Sequence, residues 1–382
     1  MKEVFLLEQL LPVRSLKKGD NDDITQERLI ERKAKRRFQL LLLLFFCALV
    51  LSITFALTLG PVKMSPITVW KIALSHLPFF GDYIDVNWSQ AQERIIWDIR
   101  LPRVLLGAVV GAGLSVVGVV IQALVRNSLA DPYILGISSG SSVAATLVIL
   151  FGALPIFGQY ALSLGAFIGA IVAMVAVYLL AQVGGRIQTT RLLLAGVAIS
   201  MILSAVTNFI VTLAPKESGI RGAMFWMMGS LAGAKWEYIM IPTVVVLVGT
   251  FYLLFHSRSL NVLLMGEEAA ATLGVNIDSF RKILIIISSL LTGTVVAVSG
   301  SIGFIGLVVP HLVRLLIGTD HKRVLPFSIL IGMILVIWSD VCARMLLAPQ
   351  ELPIGVVTAL CGGPFFIWLL RRSSYSFGGG SK

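Results

Sequence analysis

The chain has 382 residues, of which 57% are hydrophobic and 13% charged, and its formal net charge is +11. A soluble domain carries charge on about a quarter of its residues. The composition therefore excludes an ordinary soluble protein and indicates one that crosses a membrane several times. The basic excess, which in a soluble protein would suggest nucleic acid, fits basic residues in cytoplasmic loops and near anionic lipid head groups.

The N-terminal stretch, residues 1–37, is the long polar part of the chain, and we interpret it as a cytoplasmic extension. Asp23 and Gln26 have the spacing of a capping box, which predicts a helix over 24–37 that runs into the membrane. The apolar run that follows begins too far along the chain for a signal peptide, and no cleavage-site pattern follows it. We therefore expect a first membrane helix at 38–60.

Ten apolar runs have the length of a membrane-spanning helix, which is about 20 residues. They lie at 38–60, 102–125, 134–154, 160–182, 191–213, 236–255, 282–300, 302–318, 324–345 and 352–370. Residues 220–232 are too short to span and predict an external re-entrant or interfacial helix. The fold class is therefore all-α and polytopic, with one membrane domain over 38–372 and a C-terminal tail at 373–382.

The basic residues orient these spans. With the N-terminus inside, most of the 31 Lys and Arg residues fall in cytoplasmic segments, as the positive-inside rule requires. We expect both termini in the cytoplasm of a prokaryote and the chain in its cytoplasmic membrane. Small residues within the spans, among them Gly111, Gly169 and Gly332, predict close helix packing. A wide substrate path lined by small side chains is the alternative.

Several activities lack their sequence signature. The chain has no GxxxxGK[ST] phosphate loop, no HExxH and no GxSxG, so we expect no catalytic residues, no metal site and no cofactor bound by this chain. Carriers driven by protons or ions keep ionisable residues at mid-membrane. Here Asp340, Arg344, His311 and Arg314 lie toward span ends, which disfavours a secondary transporter or channel, although that alternative stays open. A structural membrane partner without transport is a second alternative.

A charged insert interrupts the apolar pattern at 257–281, on the predicted cytoplasmic side. Alanines favour a helix there, Gly274 is placed to end it, and the two glutamates suit its positive end. Glu268, Ala269 and Ala270 are followed by three residues and then by Gly274. This EAA-xxx-G pattern resembles the segment through which permeases of ABC importers contact their ATPases. The predicted coupling residues are Gly266, Glu267, Glu268, Ala269, Ala270 and Gly274.

Further stretches extend this resemblance from about residue 95 to 372. They are RLPRVLLG (100–107), NSLADPYILGISSGSS (127–142), RLLLAGVAIS (191–200), GSIGFIGLVVPHLVRLLIGTDHK (300–322) and ELPIGVVTALCGGPFFIWLLRR (351–372). Together they resemble the FecCD-type permeases, which are ABC importers of ferric siderophores, haem and cobalamin. Residues 1–37 and the tail fall outside the resemblance.

The resemblance implies the type II importer fold of the cobalamin permeases, with ten helices per subunit. It implies that two permeases, identical or different, enclose one pathway and sit on two ATPase subunits that bind ATP and Mg. It also implies an external binding protein that delivers the metal-chelate or cobalamin substrate. The permease itself would be a transport subunit and not an enzyme, working by alternating access.

Arginines stand at the positions that face binding-protein carboxylates in this family. Arg100 and Arg103 precede and begin the second span, and we expect them to be exposed at its external mouth. Arg344 follows near the external end of the ninth span. Interfacial snorkelling is the alternative for all three. For Arg344, pairing with Asp340 one helical turn earlier is a further alternative.

Two other motifs keep alternatives open. Thr189 and Thr190 match small hydroxyl residues at the family's cytoplasmic gate, but equally suit helix capping. In the last span, Gly355, Gly362, Gly363 and Pro364 predict a flexible pathway wall or, alternatively, tight packing. The Met- and Trp-rich stretch 221–236 resembles that of cobalamin permeases, and its soft apolar side chains suit either an interfacial anchor or a large tetrapyrrole surface.

Overall fold

The computed structural model describes residues 21–78, 81–265 and 276–372. The chain divides into two compact units, 1–44 and 45–382. The described part of the first unit is residues 21–44, which belong to helix α1, Asn21–Thr58. The helix predicted over 24–37 is confirmed, but the capping box is wrong, because Asp23 lies inside the helix.

The remaining elements follow in chain order. They are α2 Pro66–Ser75, α3 Gln90–Arg94, a π-helical stretch Ile95–Arg100, α4 Leu101–Val125, α5 Ile137–Phe151, α6 Ala161–Ala181, β1 Gln182–Val183, β2 Arg186–Ile187, α7 Thr189–Thr212, α8 Glu217–Met227, α9 Met240–Phe255, α10 Ser257–Leu264, α11 Ile277–Ser299, α12 Ile305–Ile317, α13 His321–Met345 and α14 Ile354–Arg372.

The all-α membrane fold is confirmed. Among the described residues, seven helical stretches are long and apolar enough to cross a membrane, and three shorter apolar helices accompany them. Each of the ten predicted spans overlaps one of these. The two weakest sequence signals, 134–154 and 302–318, correspond to the short helices α5 and α12. Residues 220–232 contribute to the separate helix α8.

Helix α4 is the centre of the 45–382 unit. Helix α4 belongs to a continuous helical stretch, Gln90–Val125, that is 36 residues long. In its most apolar 18-residue segment, 89% is buried. A helix that is apolar on all sides is stable in lipid or among other helices, and the burial of α4 shows that other helices surround it. The surrounding helices include α10, α11, α12 and α13.

Backbone-to-backbone contact brings α4 against α13. A Cβ on Gly111 would overlap the carbonyl oxygen of Gly332, and a Cβ on Gly332 would overlap the Ser115 hydroxyl. Small residues permit this approach, and the dispersion attraction between closely packed backbones then holds the two helices together in lipid. The close packing predicted for Gly111 and Gly332 is confirmed.

Helices α5 and α12 begin inside the bundle. At 1.5 Å per residue they are roughly 20 Å long, shorter than the roughly 30 Å hydrocarbon layer. Gly306, at the start of α12, packs on Gly118, about two turns before α4 ends, and the Pro132 ring lies against Gly306. Non-helical backbone at this depth is tolerated only where protein surrounds it and satisfies its polar groups.

Tyr133 satisfies backbone polar groups where the non-helical segments before α5 and α12 meet. Its hydroxyl donates to the carbonyl of Ile302 at 3.0 Å and accepts from the Ile302 N–H at 2.9 Å. Ser138 and Ser301 also hydrogen-bond across the break. The segments before α5 and α12 are therefore joined by side chains that replace the missing helical hydrogen bonds.

The residues that join α6 to α7 form a short antiparallel hairpin, with Gln182 opposite Ile187 and Val183 opposite Arg186. Gly184 and Gly185 have φ values of 58° and 80°. Two consecutive residues with positive φ form the type I′ turn that suits a two-residue hairpin, and glycine adopts it without strain. The hairpin fixes the direction in which α7 leaves.

We predict that Gly111→Ala destabilises the protein by about 1–3 kcal/mol, because the added methyl forces α4 and α13 apart. Gly233→Ala is the matched control, since a Cβ there meets no atom within 4 Å. Thermal unfolding in detergent measures both variants. Equal midpoints for Gly111→Ala and Gly233→Ala would contradict the packing described for this pair.

Candidate functional site

One end of the α4–α13 pair carries a buried group of charges, which we call the ion cluster: Arg103, Asp340, Arg344 and Glu351. The Arg103 Nε lies 2.8 Å from Asp340 Oδ1, and its Nη1 lies 2.9 Å from Glu351 Oε1. The Arg344 Nε lies 3.1 Å from the other Asp340 oxygen, one helical turn away. Asp340 is thus bound on both sides and is only 2% exposed.

Arg100 lies beside the ion cluster but binds backbone instead of carboxylates. Its guanidinium donates to the carbonyl oxygens of Leu57 and Val62, both at 2.7 Å, and to that of Thr58 at 3.3 Å. Helix α1 ends at Thr58, so these bonds satisfy carbonyls that have no partner within the helix. Arg100 therefore fixes the end of α1 and the turn after it.

Within this chain, the arginines do not lie open at the surface as expected. Arg100 and Arg103 are 4% and 5% exposed, so the predicted exposure is wrong. The physical reason is that a desolvated guanidinium is stable where carboxylates or carbonyls surround it, and both arginines have such partners. The alternative that Arg344 pairs with Asp340 is confirmed. The docking role itself stays a prediction.

Glu351 is the accessible member of the ion cluster, with 35% of its side chain exposed. It lies between α13 and α14, one residue before the Leu352 N–H that donates to the carbonyl of Ala343. The ELPIG motif contributes to the family resemblance, but sequence reasoning assigned no role to its glutamate. The only available signal was an acidic residue close behind Asp340 and Arg344 in an otherwise apolar region.

The predicted coupling residues Gly266, Glu267, Glu268, Ala269, Ala270 and Gly274 lie outside the described residues. Their flanks are described. Helix α10 ends at Leu264, and α11 begins after Asn276, whose side chain accepts from the Ser279 N–H at 3.1 Å. The EAA-xxx-G assignment therefore stays a prediction.

The two threonines of the predicted gate open helix α7. The N-cap residue of that helix is Gln188, and no side-chain capping hydrogen bond forms there. Thr190 is exposed and Thr189 half-buried. Neither threonine therefore caps α7 through its side chain. The gate assignment stays a prediction.

The glycines of α14 divide into two kinds. A Cβ on Gly355 would overlap the carbonyl oxygen of Met228, and one on Gly362 would lie 2.6 Å from Phe304, so these two glycines pack against neighbours. A Cβ on Gly363 meets nothing within 4 Å, and Pro364 is exposed. A pathway wall stays a prediction for Gly363 and Pro364, whereas the packing alternative describes Gly355 and Gly362.

The Met- and Trp-rich stretch 221–236 is anchored in the bundle. Leu231 is buried and would meet any side chain placed on Gly107. The backbone N–H of Ser230 donates to the carbonyl of Ser299 at 2.8 Å. The indole N–H of Trp236 donates to the carbonyl of Trp97 at 2.9 Å. The stretch thus joins α8 to α4 and α11, although several of its methionines stay accessible.

The fold and the ion cluster can be set beside known proteins. The model of the FecCD transport family matches residues 48–372. The chain belongs to the FecCD transport family. The resemblance carried by the quoted motifs is thereby confirmed, and the match begins inside α1, beyond the polar N-terminal extension.

Individual relatives of this FecCD chain agree with the family match. A cobalamin import system permease from Halobacterium salinarum is 44% identical over 277 residues, covering 72% of this chain and 73% of the relative. The hemin transport permease HmuU of Yersinia pestis is 40% identical over 330 residues, covering 85% and 94%. A metal-chelate type ABC transporter solved in an inward-facing conformation matches with TM-score 0.75 and 32% identity, covering 87% of this chain and 99% of that one.

We predict that Asp340→Asn destabilises the protein by about 3–5 kcal/mol, because it leaves two buried guanidinium groups without their shared carboxylate. Glu351→Gln, at the accessible end of the ion cluster, is expected to cost less than about 1 kcal/mol. Thermal or denaturant unfolding in detergent measures both. The double variant Arg103→Met/Asp340→Asn recovers part of the loss if the unpaired charge is the cause.

A second prediction concerns Asp131, a half-buried residue between α4 and α5 whose side chain accepts from the Tyr133 N–H at 2.9 Å. Burial raises the pKa of Asp131 to about 6, and the hydrogen bond from Tyr133 lowers it by less. An unfolded aspartate has a pKa of about 3.9. The folded chain therefore binds this proton more tightly, and stability is lost as pH rises from about 4 to 6.

The comparison with Asp131→Asn isolates this effect, since asparagine also caps a turn and does not titrate in this range. We expect the variant to unfold at a higher temperature than wild type at pH 7.5, with the difference vanishing near pH 4. Melting curves at four or five pH values decide the matter. A difference independent of pH would show that Asp131 does not carry the raised pKa.

Proposed function

We propose that this FecCD chain is the membrane-spanning subunit of an ABC importer that moves a metal chelate or cobalamin into the cell. The observation that carries the proposal is the family match over 48–372, together with 40–44% identity to permeases named for cobalamin and hemin. A permease from Bacillus subtilis named for Fe(3+)-citrate is 40% identical over 344 residues. The proposed substrate class is therefore a metal chelate or cobalamin.

The motive force is proposed to come from two separate ATPase subunits. The chain contains no phosphate-binding loop of its own. In sequence, the segment 266–275 falls between α10 and α11, on the cytoplasmic side that the basic residues predict, and carries the EAA-xxx-G spelling. An ATPase surface that contacts this segment differently in its two nucleotide states would shift the permease between inward-open and outward-open conformations.

The substrate is proposed to arrive on an external binding protein. Arg100, Arg103 and Arg344 carry three positive charges against the two negative charges of Asp340 and Glu351, so these five residues together keep a net positive charge. A partner with acidic surface residues would be attracted to it and oriented by it.

A secondary transporter or channel is the other class considered. Such proteins place ionisable groups along the pathway at mid-membrane. In the described residues, the pairs of the ion cluster lie within two turns of the end of α13 and at the start of α4, where they join helices to each other. This placement favours the importer.

Reconstitution tests the proposal. The chain would be assembled in proteoliposomes with its ATPase and binding protein, and uptake of haem, a ferric siderophore and cobalamin would be measured with and without ATP. We expect uptake of one class only, dependent on both partners. Glu268→Lys should lower ATP-dependent uptake at least about tenfold, the effect of losing roughly 1.4 kcal/mol of coupling.

Glu27→Lys is the matched charge reversal, since Glu27 precedes the residues that the family model matches. It should transport like wild type. Uptake that continues without ATPase subunits would overturn the importer assignment and support the secondary transporter. Uptake that is ATP-dependent but equal in both glutamate variants would overturn the role of the 266–275 segment.

A further inference from the structure

Helix α10 ends shortly before the segment 266–275. The contacts that attach α10 to the bundle lie among the described residues. Its buried residues, Ser257, Leu260 and Leu263, recur at every third position and form one buried face. Asn261 lies beside this face and is half-buried. The helix contacts both α4 and α13.

Asn261 completes the N-terminus of α13 from outside that helix. Its Nδ2 donates to Asp320 Oδ1 at 2.7 Å, and Asp320 is the N-cap residue of α13. Its Oδ1 accepts from the His321 N–H at 3.0 Å, one of the first-turn amides that lack a partner within the helix. The His321 Nδ1 lies 2.6 Å from the same oxygen and donates to it in the Nδ1–H tautomer.

These bonds are placed where water competes little. His321 is 1% exposed, so losing its partner would leave buried donors unsatisfied. Burial by itself raises the pKa of Asp320, but the hydrogen bonds from Asn261 and the Lys322 N–H, together with nearby basic charge, lower it overall. Asp320 is thus held as a carboxylate, the form that accepts from Asn261.

Helix α10 has a second attachment, to the end of α4. Arg126 is the C-cap residue of α4, and its backbone has the left-handed conformation. Its Nε donates to the carbonyl of Leu263 at 3.2 Å. Leu263 lies in the last turn of α10, where carbonyls lack partners within the helix. One helix is therefore fastened to both members of the α4–α13 pair, at the end opposite the ion cluster.

We propose that Asn261 is a positioning residue that couples α10 to the N-terminus of α13. Displacement of α10 is passed through Asn261 to α13 and through Arg126 to α4. Because α4 and α13 touch backbone to backbone at Gly111 and Gly332, the pair moves as one body. This inference rests on the proposed function, since it assigns how ATPase motion enters the bundle.

The test is the ratio of substrate molecules imported to ATP molecules hydrolysed, measured in the reconstituted transporter with its ATPase and binding protein. Asn261→Leu keeps the size of the side chain and removes all three hydrogen bonds. We expect ATP hydrolysis within about twofold of wild type and an import-to-ATP ratio lowered about tenfold, in line with losing hydrogen bonds of ordinary net strength.

Asn127→Leu is the matched control. The Asn127 side chain accepts from the Leu129 N–H within its own turn, near the same end of α4. It should keep the wild-type ratio. Asn261→Asp retains the acceptor for His321 but opposes Asp320 with a second carboxylate, and its ratio should fall between those of wild type and Asn261→Leu.

The outcomes distinguish failure of the proposed function from failure of the role of Asn261. Wild-type vesicles without ATP-dependent uptake would overturn the proposed function itself. Coupled wild-type uptake with an unchanged ratio in Asn261→Leu, or an equal fall in Asn127→Leu, would overturn the role of Asn261 alone. A purely structural role would lower the melting temperature and the amount of assembled transporter while leaving the ratio as in wild type.

Discussion

The contact between Arg103 and Asp340 is the interaction on which the described bundle depends most. It joins α4 to α13 at one end of a pair that otherwise makes apolar contact, and both side chains are almost fully buried. A buried pair is stable only when its geometry is good and its other polar atoms are satisfied. Arg344 and Glu351 supply those additional partners, so the pair also fixes the register of the two helices.

This constraint explains the arrangement around it. Gly111 and Gly332 lie against each other only in one register, and the ion cluster selects that register from one end. Asn261 and Arg126 act at the other end, where α10 is fastened to the same two helices. Polar contacts with defined geometry thus occur at both ends of an apolar contact that alone would tolerate sliding.

The sequence predicted the architecture well, because ten apolar runs of the right length leave few alternative folds in a membrane. Small-residue spacing was also readable, and Gly111 and Gly332 pack as expected. Burial of polar residues was less predictable. Arg100 and Arg103 stand next to a polar segment predicted to be external, and linear sequence gives no sign that Asp340, 237 residues after Arg103, would enclose one of them.

The candidate site was predictable only in part for the same reason. Motif spelling located the arginines and the 266–275 segment, whereas the roles of Glu351, Tyr133 and Asn261 follow from contacts between distant parts of the chain. Short helices such as α12 were the hardest elements, since a 13-residue apolar run reads as a span even when it begins inside the bundle.

The rigidity of the α4–α13 pair is the central claim, and spin-label distances test it most directly. In a chain whose three cysteines have been replaced, labels at Ile99 and Met345 report one end of the pair, and labels at Ser128 and Arg323 report the other. In the assembled transporter, both distances should stay constant within about 2 Å between nucleotide-free and ATP-bound states. A larger change at either end would show that α4 and α13 move separately and would contradict the account.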